Sequence, residues 1–248
     1  MDDVKSYFAN YVRPDMTTLV VVGNVDPSDV QARVAADFGG WANAGPKPDV
    51  HLPPIPLTEP KRQLVQTAAQ DVSVELGAPA PRRTDPSYDA LVLANSIYGG
   101  GDFESRLFKE VRQKRGLVYF ASSSITSTRD RGIFHLSFRA VPAKVNAADA
   151  LVRSELRRMQ TGLVSADELA RAKTRIVAET VNAEQATSTI AGDLMQMGVQ
   201  ELAPDYFAKL SARYAHITPQ QVRAAAKSGF VSVRISRMAW RSSAERWS

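Results

Sequence analysis

A cluster of prolines divides the sequence into a short N-terminal part and a long C-terminal part. Six prolines fall among the 18 residues from Asn43 to Pro60. Proline lacks a backbone donor and fixes φ, so this density favours a stiff, extended segment without regular hydrogen bonding. We therefore expect an interdomain linker over residues 43–60, between folding units at residues 1–42 and 61–248.

The N-terminal part reads as a helix, a short apolar strand and a second helix. The β-branched run Thr17–Val22 predicts a strand that is covered on both faces. Val30, Val34 and Phe38 then lie four residues apart, on one face of the second helix. A unit this small cannot bury its own apolar surface, so it needs a partner outside residues 1–42. Without that partner, we expect self-association through this segment.

The C-terminal part, residues 61–248, reads as a complete α+β domain. Strand patterns come first, and helical patterns dominate after about residue 143. This order favours a mainly antiparallel sheet packed by several helices over an alternating, doubly wound fold. The predicted strands are Gln63–Ala69, Val72–Ala78, Tyr119–Thr126 and Ile133–Arg139, the last two as an antiparallel pair. Two later helices are predicted to open with capping boxes, Ser165 with Glu168 and Thr218 with Gln221.

Composition and charge exclude several classes of protein. The net charge is +5, but basic and acidic residues are interleaved and no nucleic-acid-binding motif is present, so we expect no nucleic-acid partner. No run of about 18 apolar residues exists, which predicts no membrane span. The acidic start Met1–Val4 predicts no signal peptide, and a periplasmic location would require a longer precursor.

The sequence offers few residues for metal or nucleotide chemistry. It contains no cysteine, and His51, His135 and His216 lie outside any H-E-x-x-H or H-x-x-E-H motif, so ordinary structural roles are expected for them. The three glycines Gly99–Gly101 lack the G-K-[ST] of a phosphate-binding loop. They are interpreted either as a flexible turn between two helices or as a loop that lets a substrate backbone approach closely.

A helix–turn–strand corner follows the glycines. Arg112 lies near the end of a predicted helix, Gly116 reverses the chain, and Tyr119 starts the next strand. A guanidinium and a phenol aimed at one point could donate hydrogen bonds to a peptide carbonyl and its oxyanion. The alternative is structural, with Arg112 interacting with the helix dipole and Tyr119 filling the edge of the core.

Three stretches of the sequence together resemble one known family. They are Leu93–Arg112 with its continuation to Tyr119, Leu19–Asp26 upstream, and Gly162–Lys173 downstream. Together they resemble the C-terminal domain of the insulinase/pitrilysin-type zinc peptidases, and the resemblance covers nearly the whole chain.

The resemblance implies specific roles for residues of the corner. In that family, two halves enclose the substrate; one binds zinc through H-x-x-E-H, and the other supplies an Arg and a Tyr spaced as R-x6-Y. Arg112 and Tyr119 have this spacing, which implies that Arg112 holds the substrate carbonyl and Tyr119 donates to the oxyanion. Gly99, Gly100 and Gly101 would line the chamber and bind the peptide substrate.

The resemblance also implies that essential parts lie outside this chain. Residues 1–42 would be the remnant end of a preceding homologous domain, and zinc is expected in an H-x-x-E-H-bearing partner subunit or domain. The chain would hold no cofactor and would be inactive alone as a metalloendopeptidase. The basic, aperiodic sequence Arg234–Ser243 departs from the family pattern.

A second interpretation from another functional class stays open. The family includes inactive core subunits that scaffold a complex, and a relative of that kind would need neither zinc nor substrate contacts. The presence of both Arg112 and Tyr119 favours the peptidase role over the scaffold.

Overall fold

The computed structural model of the 248-residue chain describes residues 1–43, 45–53, 63–66, 70–230 and 238–241. The chain groups into two compact units. The first comprises Met1–Leu52 and Glu179–Phe207, and the second comprises Pro53–Ala178 and Ala208–Ser248. These units are defined by which residues contact one another in space. The expected division is a different one, into a domain remnant at residues 1–42, a linker at 43–60 and a domain at 61–248. It stays a prediction.

Among the described residues, three helices lie wholly within the first unit, and none of their side chains is buried. They are α1 (Asp2–Tyr11), α2 (Pro27–Phe38) and α6 (Thr187–Val199). The start of α2 follows from its sequence, because the Asp26 carboxylate accepts the backbone N–H of Ser28 at 2.7 Å. Most residues near the N-terminus are exposed, but Arg13 is not. It is buried, pairs with Asp15 and donates to the carbonyl oxygen of Pro46 at 3.0 Å.

The apolar run Thr17–Val22 was expected to be a strand. Thr17 has extended dihedral angles, φ −104° and ψ 129°, but none of the described strands pairs with the run. Leu19 and Val21 are 57% and 47% exposed. The prediction of a covered strand is therefore wrong for the described residues, because nothing among them supplies its neighbouring strands.

The second unit is built around one five-stranded sheet in the order β1-β5-β2-β4-β3. All neighbouring pairs are antiparallel except β1 with β5, which confirms the α+β class. The strands are β1 (Gln63–Gln66), β2 (Val72–Ala80), β3 (Phe120–Ser127), β4 (Gly132–Ala140) and β5 (Met238–Arg241). Strand β5 lies within the C-terminal sequence expected to be aperiodic, and the rest of that sequence lies outside the described residues.

Helices of the described residues share one hydrophobic core with this sheet. They are α3 (Tyr88–Asn95), α4 (Val145–Thr161), α5 (Ala166–Ala183), α7 (Leu210–Ala215) and α8 (Pro219–Gly229). Both predicted capping boxes are confirmed: the Glu168 N–H donates to Ser165 Oγ at 3.1 Å, and the Gln221 N–H donates to Thr218 Oγ1 at 3.3 Å. No helix of the described residues is long and apolar enough to cross a membrane.

The core of the second unit centres on three aromatic rings from different elements. The Phe134 ring of β4 lies 4.6 Å from the Phe230 ring just after α8, and 6.4 Å from the Tyr98 ring that follows α3. Alternation along β4 aims Phe134 at the helices and leaves Ile133 exposed. The sheet and its helical layer are thus joined through Phe134.

We expect Phe134→Ala to lower the free energy of unfolding by about 3–5 kcal/mol, since it opens a cavity among rings that cannot close it. Urea denaturation followed by circular dichroism measures this change. Ile133→Ala, at the exposed neighbouring position, should change it by less than about 0.5 kcal/mol. Equal losses in the two variants would contradict this account of the core.

Candidate functional site

The helix α3 continues into a π-helical segment, Ser96–Gly100, that carries the first two glycines. This segment lies against β3. A side chain at Gly99 would come within 2.6 Å of Ser123 Oγ and 2.7 Å of Leu107 Cδ1. Asn95, the residue before the segment, also joins the helix to β3, because its Oδ1 accepts the Ser123 hydroxyl at 2.7 Å. Gly99 is therefore needed for the close approach of helix and strand.

The glycines are more enclosed than an exposed loop would be. Gly99 and Gly101 are buried, and a side chain at Gly101 would meet the carbonyl oxygen of Ser96. Close packing therefore explains why glycine is needed at each of these positions, without any contact to a substrate. The expected contribution of Gly99, Gly100 and Gly101 to substrate binding stays a prediction.

A second π-helical segment, Leu107–Gln113, positions Arg112. Its hydrogen bonding includes the Lys114 N–H donating to the Lys109 carbonyl, five residues earlier, at 3.0 Å. Leu107 and Val111 anchor the segment because both are fully buried. Arg112, next to Val111 in the last turn, is exposed, a position that also suits the helix dipole.

The guanidinium of Arg112 lies over an aromatic pair. Its Cζ is 5.2 Å from the centre of the Phe108 ring, and the Phe103 ring meets Phe108 edge to face at 4.8 Å and 88°. A cation over a ring face is held by the ring quadrupole without consuming its N–H donors. The stack therefore orients Arg112 and leaves its donors available.

Arg112 differs from its basic neighbours in its charge environment. The other basic residues between positions 106 and 115 each pair with a carboxylate: Arg106 with Glu168, Lys109 with Glu104, and both Lys114 and Arg115 with Glu110. Within the described part of the chain, Arg112 forms no ion pair or hydrogen bond through its guanidinium. Its donors are free for a ligand.

A glycine turn leads from Arg112 to Tyr119. Gly116 adopts φ +57°, a left-handed conformation that glycine accommodates best, and its N–H donates to the Arg112 carbonyl at 2.9 Å. Tyr119 is 54% exposed, and its hydroxyl makes no hydrogen bond among the residues the structure describes. This exposure favours a donor role for Tyr119 over the alternative in which it fills a core edge, and both roles stay predictions.

Arg139 is a further residue beside this corner that the sequence did not identify, and it contacts Tyr119 through its backbone. The Tyr119 N–H donates to its carbonyl oxygen at 2.8 Å, and its guanidinium lies 5.9 Å from the ring centre of Phe120. Arg139 is opposite Phe120 in the register of β3 and β4. Alternation along β4 predicts that Arg139 faces away from the core. The register of the strand pair brings its backbone to Tyr119, while its side chain shares the open face of the sheet with Phe120.

Glu168 holds the second π-helical segment to α5 through a bidentate ion pair. Its Oε1 and Oε2 accept Arg106 Nε and Nη2 at 2.7 and 2.9 Å, and Oε2 also accepts the Ser165 N–H at 2.9 Å. Partial burial alone would raise the pKa of the Glu168 carboxyl, but the hydrogen bonds from Arg106 and Ser165 outweigh it. They lower that pKa to about 2.

The histidines do not form a metal centre in the described residues, where no three potential metal ligands from His, Cys, Asp and Glu come together. His135 Nε2 lies 2.7 Å from Glu75 Oε2, and Glu75 Oε1 accepts the Ser137 hydroxyl at 2.8 Å. Both His135 and His216 are exposed. His135 thus has a local ionic partner on the open face of the sheet.

Comparison with known families gives one match that covers most of the chain. The family described as the peptidase M16 inactive domain matches residues 1–176. An uncharacterized zinc protease of Streptomyces coelicolor is 28% identical over 238 residues, which cover 91% of this chain and 50% of that protein. The chain thus spans about half the length of this relative.

Two further similarities extend the comparison. A protein of Bacillus subtilis named as a probable inactive metalloprotease is 26% identical over 180 residues, covering 71% of this chain and 41% of the relative. The crystal structure of a peptidase M16 inactive domain from Pseudomonas fluorescens superposes on all of this chain and 58% of its own, with a TM-score of 0.85 and 24% identity. The similarity to the Pseudomonas fluorescens structure supports the α+β fold of this chain.

The Glu168 ion pair predicts a defined pH dependence of stability. The pKa of Glu168 falls from 4.5 to about 2 on folding, so its stabilisation is complete above about pH 5 and is lost as the pH falls toward 2. We expect Glu168→Gln to lower the free energy of unfolding at pH 7 by about 2–3 kcal/mol. Urea denaturation of both proteins between pH 7 and 3 should show this difference shrinking with acidity.

The matched control is Glu184→Gln, since the Glu184 side chain forms no ion pair among the described residues. This variant should keep the stability of the unsubstituted chain across the same pH range. The free energies of unfolding of Glu168→Gln and the unsubstituted chain could instead differ by the same amount from pH 7 to 3. That result would argue against the ionised Glu168 carboxylate as the source of the difference.

Proposed function

Because the chain belongs to the M16 peptidase family, matching its inactive domain, we propose that it is the non-zinc half of a metalloendopeptidase. In this proposal it contributes Arg112 and Tyr119 to peptide hydrolysis by an H-x-x-E-H-bearing partner half. The observation that carries the proposal is that none of the described residues pairs with Arg112, in a segment where every other basic side chain has a carboxylate.

The unpaired guanidinium suits a peptide carbonyl. A carboxylate beside Arg112 would neutralise it and occupy the N–H donors that a substrate needs. The Phe108 ring instead stabilises the cation from one side and leaves the edge of the guanidinium accessible. In the proposed complex, Arg112 donates to the carbonyl oxygen of the peptide and holds it in place.

Tyr119 supplies the second donor. When a nucleophile attacks the scissile carbonyl, negative charge develops on its oxygen, and a fixed O–H donor stabilises that charge more than it stabilises the neutral carbonyl. The Tyr119 backbone is held by its hydrogen bond to the Arg139 carbonyl, while its exposed hydroxyl stays free to donate.

The described residues of this chain do not fit a zinc ion, because they contain no group of three potential ligands. No step of the proposed reaction therefore passes through a metal on this chain. The attacking water and its activation belong to the partner half, while this chain orients the peptide and stabilises the developing oxyanion.

A second candidate function is that of a structural subunit that binds a partner without taking part in catalysis. It is favoured by the relative from Bacillus subtilis that is named as a probable inactive metalloprotease. The two candidates differ in one respect: a structural subunit does not require the hydroxyl of Tyr119 or the guanidinium of Arg112.

Substitution at the corner tests the proposal directly. We expect a mixture of this chain with an H-x-x-E-H-bearing family subunit from the same source to cleave a quenched fluorescent peptide library. Arg112→Ala or Tyr119→Phe should reduce kcat/KM by about 100-fold or more, the usual effect of losing an oxyanion donor.

The matched control is Arg115→Ala, which removes a nearby exposed arginine that already pairs with Glu110. It should leave kcat/KM within about twofold, since such surface pairs contribute little. Cleavage that survives both Arg112→Ala and Tyr119→Phe, while still requiring this chain, would support the structural role and overturn the catalytic one.

A further inference from the structure

The open face of the sheet, which points away from the core, carries a cation that the proposed chemistry does not use. Alternation along β4 aims every second side chain toward this face, and Arg139 is the last and exposed member of that series. Its guanidinium lies over the Phe120 ring, with Cζ 5.9 Å from the ring centre. Arg112 lies over Phe108 in the same way, and in both cases the ring leaves N–H donors available.

Among the described residues, no carboxylate pairs with Arg139. In the register of the sheet it lies between Ser73 of β2 and Phe120 of β3, and neither of these is charged. The open face of β2, β3 and β4, strands that are described throughout, carries one carboxylate, Glu75, and both of its oxygens contact side chains of β4. The positive charge of Arg139 is therefore left for a ligand.

Neutral donors extend the same face along β3. Ser122 and Ser124 follow Phe120 at alternate positions and are exposed, and their hydroxyls make no hydrogen bond within the described part of the chain. A carboxylate binds best where a cation and O–H or N–H donors face it and no second carboxylate repels it. The surface formed by Arg139, Phe120, Ser122 and Ser124, called the β3–β4 face below, therefore suits an acidic ligand.

A bulge connects the β3–β4 face to the candidate site. The register pairs Phe120 with Arg139, yet the Tyr119 N–H also donates to the Arg139 carbonyl at 2.8 Å. Two consecutive residues opposite one are the pattern of a β-bulge, which interrupts the alternation of faces. Accordingly, Tyr119 and Phe120 are 54% and 38% exposed, whereas strict alternation would turn one of them toward the core. A peptide held at Tyr119 can therefore continue over the β3–β4 face.

We propose that Arg139 selects an acidic residue in the peptide substrate by binding its carboxylate. This inference rests on the proposed function, from which it takes the peptide, but it concerns a different surface from Arg112 and names the chemistry that this surface recognises. An extended peptide advances about 3.3 Å per residue, so we expect the acidic residue within about four positions of the scissile bond. The guanidinium fork can bind both carboxylate oxygens at once, which a lysine ammonium does not.

Paired fluorescent peptides test the selection. A quenched peptide with one Glu, moved stepwise across these positions on either side of the scissile bond, is compared with its Gln counterpart in the mixture of this chain and the H-x-x-E-H-bearing subunit. At one position or more, Arg139→Gln should lower kcat/KM for the Glu peptide by about tenfold and for the Gln peptide by less than about twofold, since it removes a charge-assisted hydrogen bond. Arg139→Glu should invert the preference and favour Lys over Glu at that position.

The matched control is Arg157→Gln. Arg157 is exposed and forms no ion pair among the described residues, but it belongs to α4 rather than to the sheet. Its substitution should leave the ratio of kcat/KM for the Glu and Gln peptides unchanged. Arg112→Ala should also keep that ratio, while lowering kcat/KM for both peptides. Glutamine keeps part of the aliphatic stem of Arg139 over Phe120, and circular dichroism verifies that each variant folds.

Three results overturn the proposal. One is an equal effect of Arg139→Gln on the Glu and Gln peptides at every position. Another is the lack of any preference between these peptides in the unsubstituted complex. The third is weaker association of the Arg139→Gln variant with the subunit in the absence of peptide, because Arg139 would then pair with a carboxylate of the partner half.

Peptide binding without cleavage separates this inference from the proposed function. In EDTA, which removes zinc from the partner, fluorescence anisotropy should still show about tenfold tighter binding of the Glu peptide than of the Gln peptide, and Arg139→Gln should abolish the difference. If the complex binds the Glu peptide preferentially but cleaves neither peptide when zinc is supplied, the catalytic role fails and the selection by Arg139 stands. Equal binding of the two peptides overturns the selection alone.

Discussion

The buried Tyr98 connects the elements on which the candidate site depends. Its hydroxyl donates to the Val152 carbonyl of α4 at 3.0 Å, and its ring contacts Phe134 and Phe230. Burial raises the pKa of Tyr98 well above its ordinary value, so the hydroxyl stays a donor. A hydrogen bond of this kind contributes about 0.5–1.5 kcal/mol to stability. Tyr98 lies directly before the glycines, so this anchoring sets where the following corner begins.

The two units differ in how they are stabilised. The second has a continuous core between sheet and helices, and the exposed side chains of the candidate site project from buried neighbours such as Val111. The first buries little among its described residues, and its clearest tertiary link is polar, from Arg13 to the Pro46 carbonyl. The described residues of the first unit therefore contribute little hydrophobic stabilisation.

Local patterns in the sequence predicted the features that local interactions determine. The capping boxes, the turn at Gly116 and the pairing of β3 with β4 depend on neighbouring residues or on alternation, and the structure confirms each. The proximity of Arg139 to Tyr119 and the ion pair of Glu168 with Arg106 depend on contacts between distant segments. Helical periodicity in the sequence also cannot show whether Leu107–Gln113 is α-helical or π-helical. The wider hydrogen-bonding pattern of the π-helix arises from how the segment packs.

The widened hydrogen bonding around Arg112 has an evolutionary consequence. A π-helical turn holds one residue more than an α-helical turn, as the Lys114-to-Lys109 bond illustrates. Deleting one residue within Leu107–Gln113 would restore ordinary α-helical winding at little cost to the backbone. Because the wider turn accommodates the additional residue, the side chains on either side of the deletion would keep nearly their present directions. A deletion in a regular α-helix would instead rotate all the following side chains by about 100°. The segment can therefore lose a residue with less disturbance to its neighbours than an α-helix of the same length could.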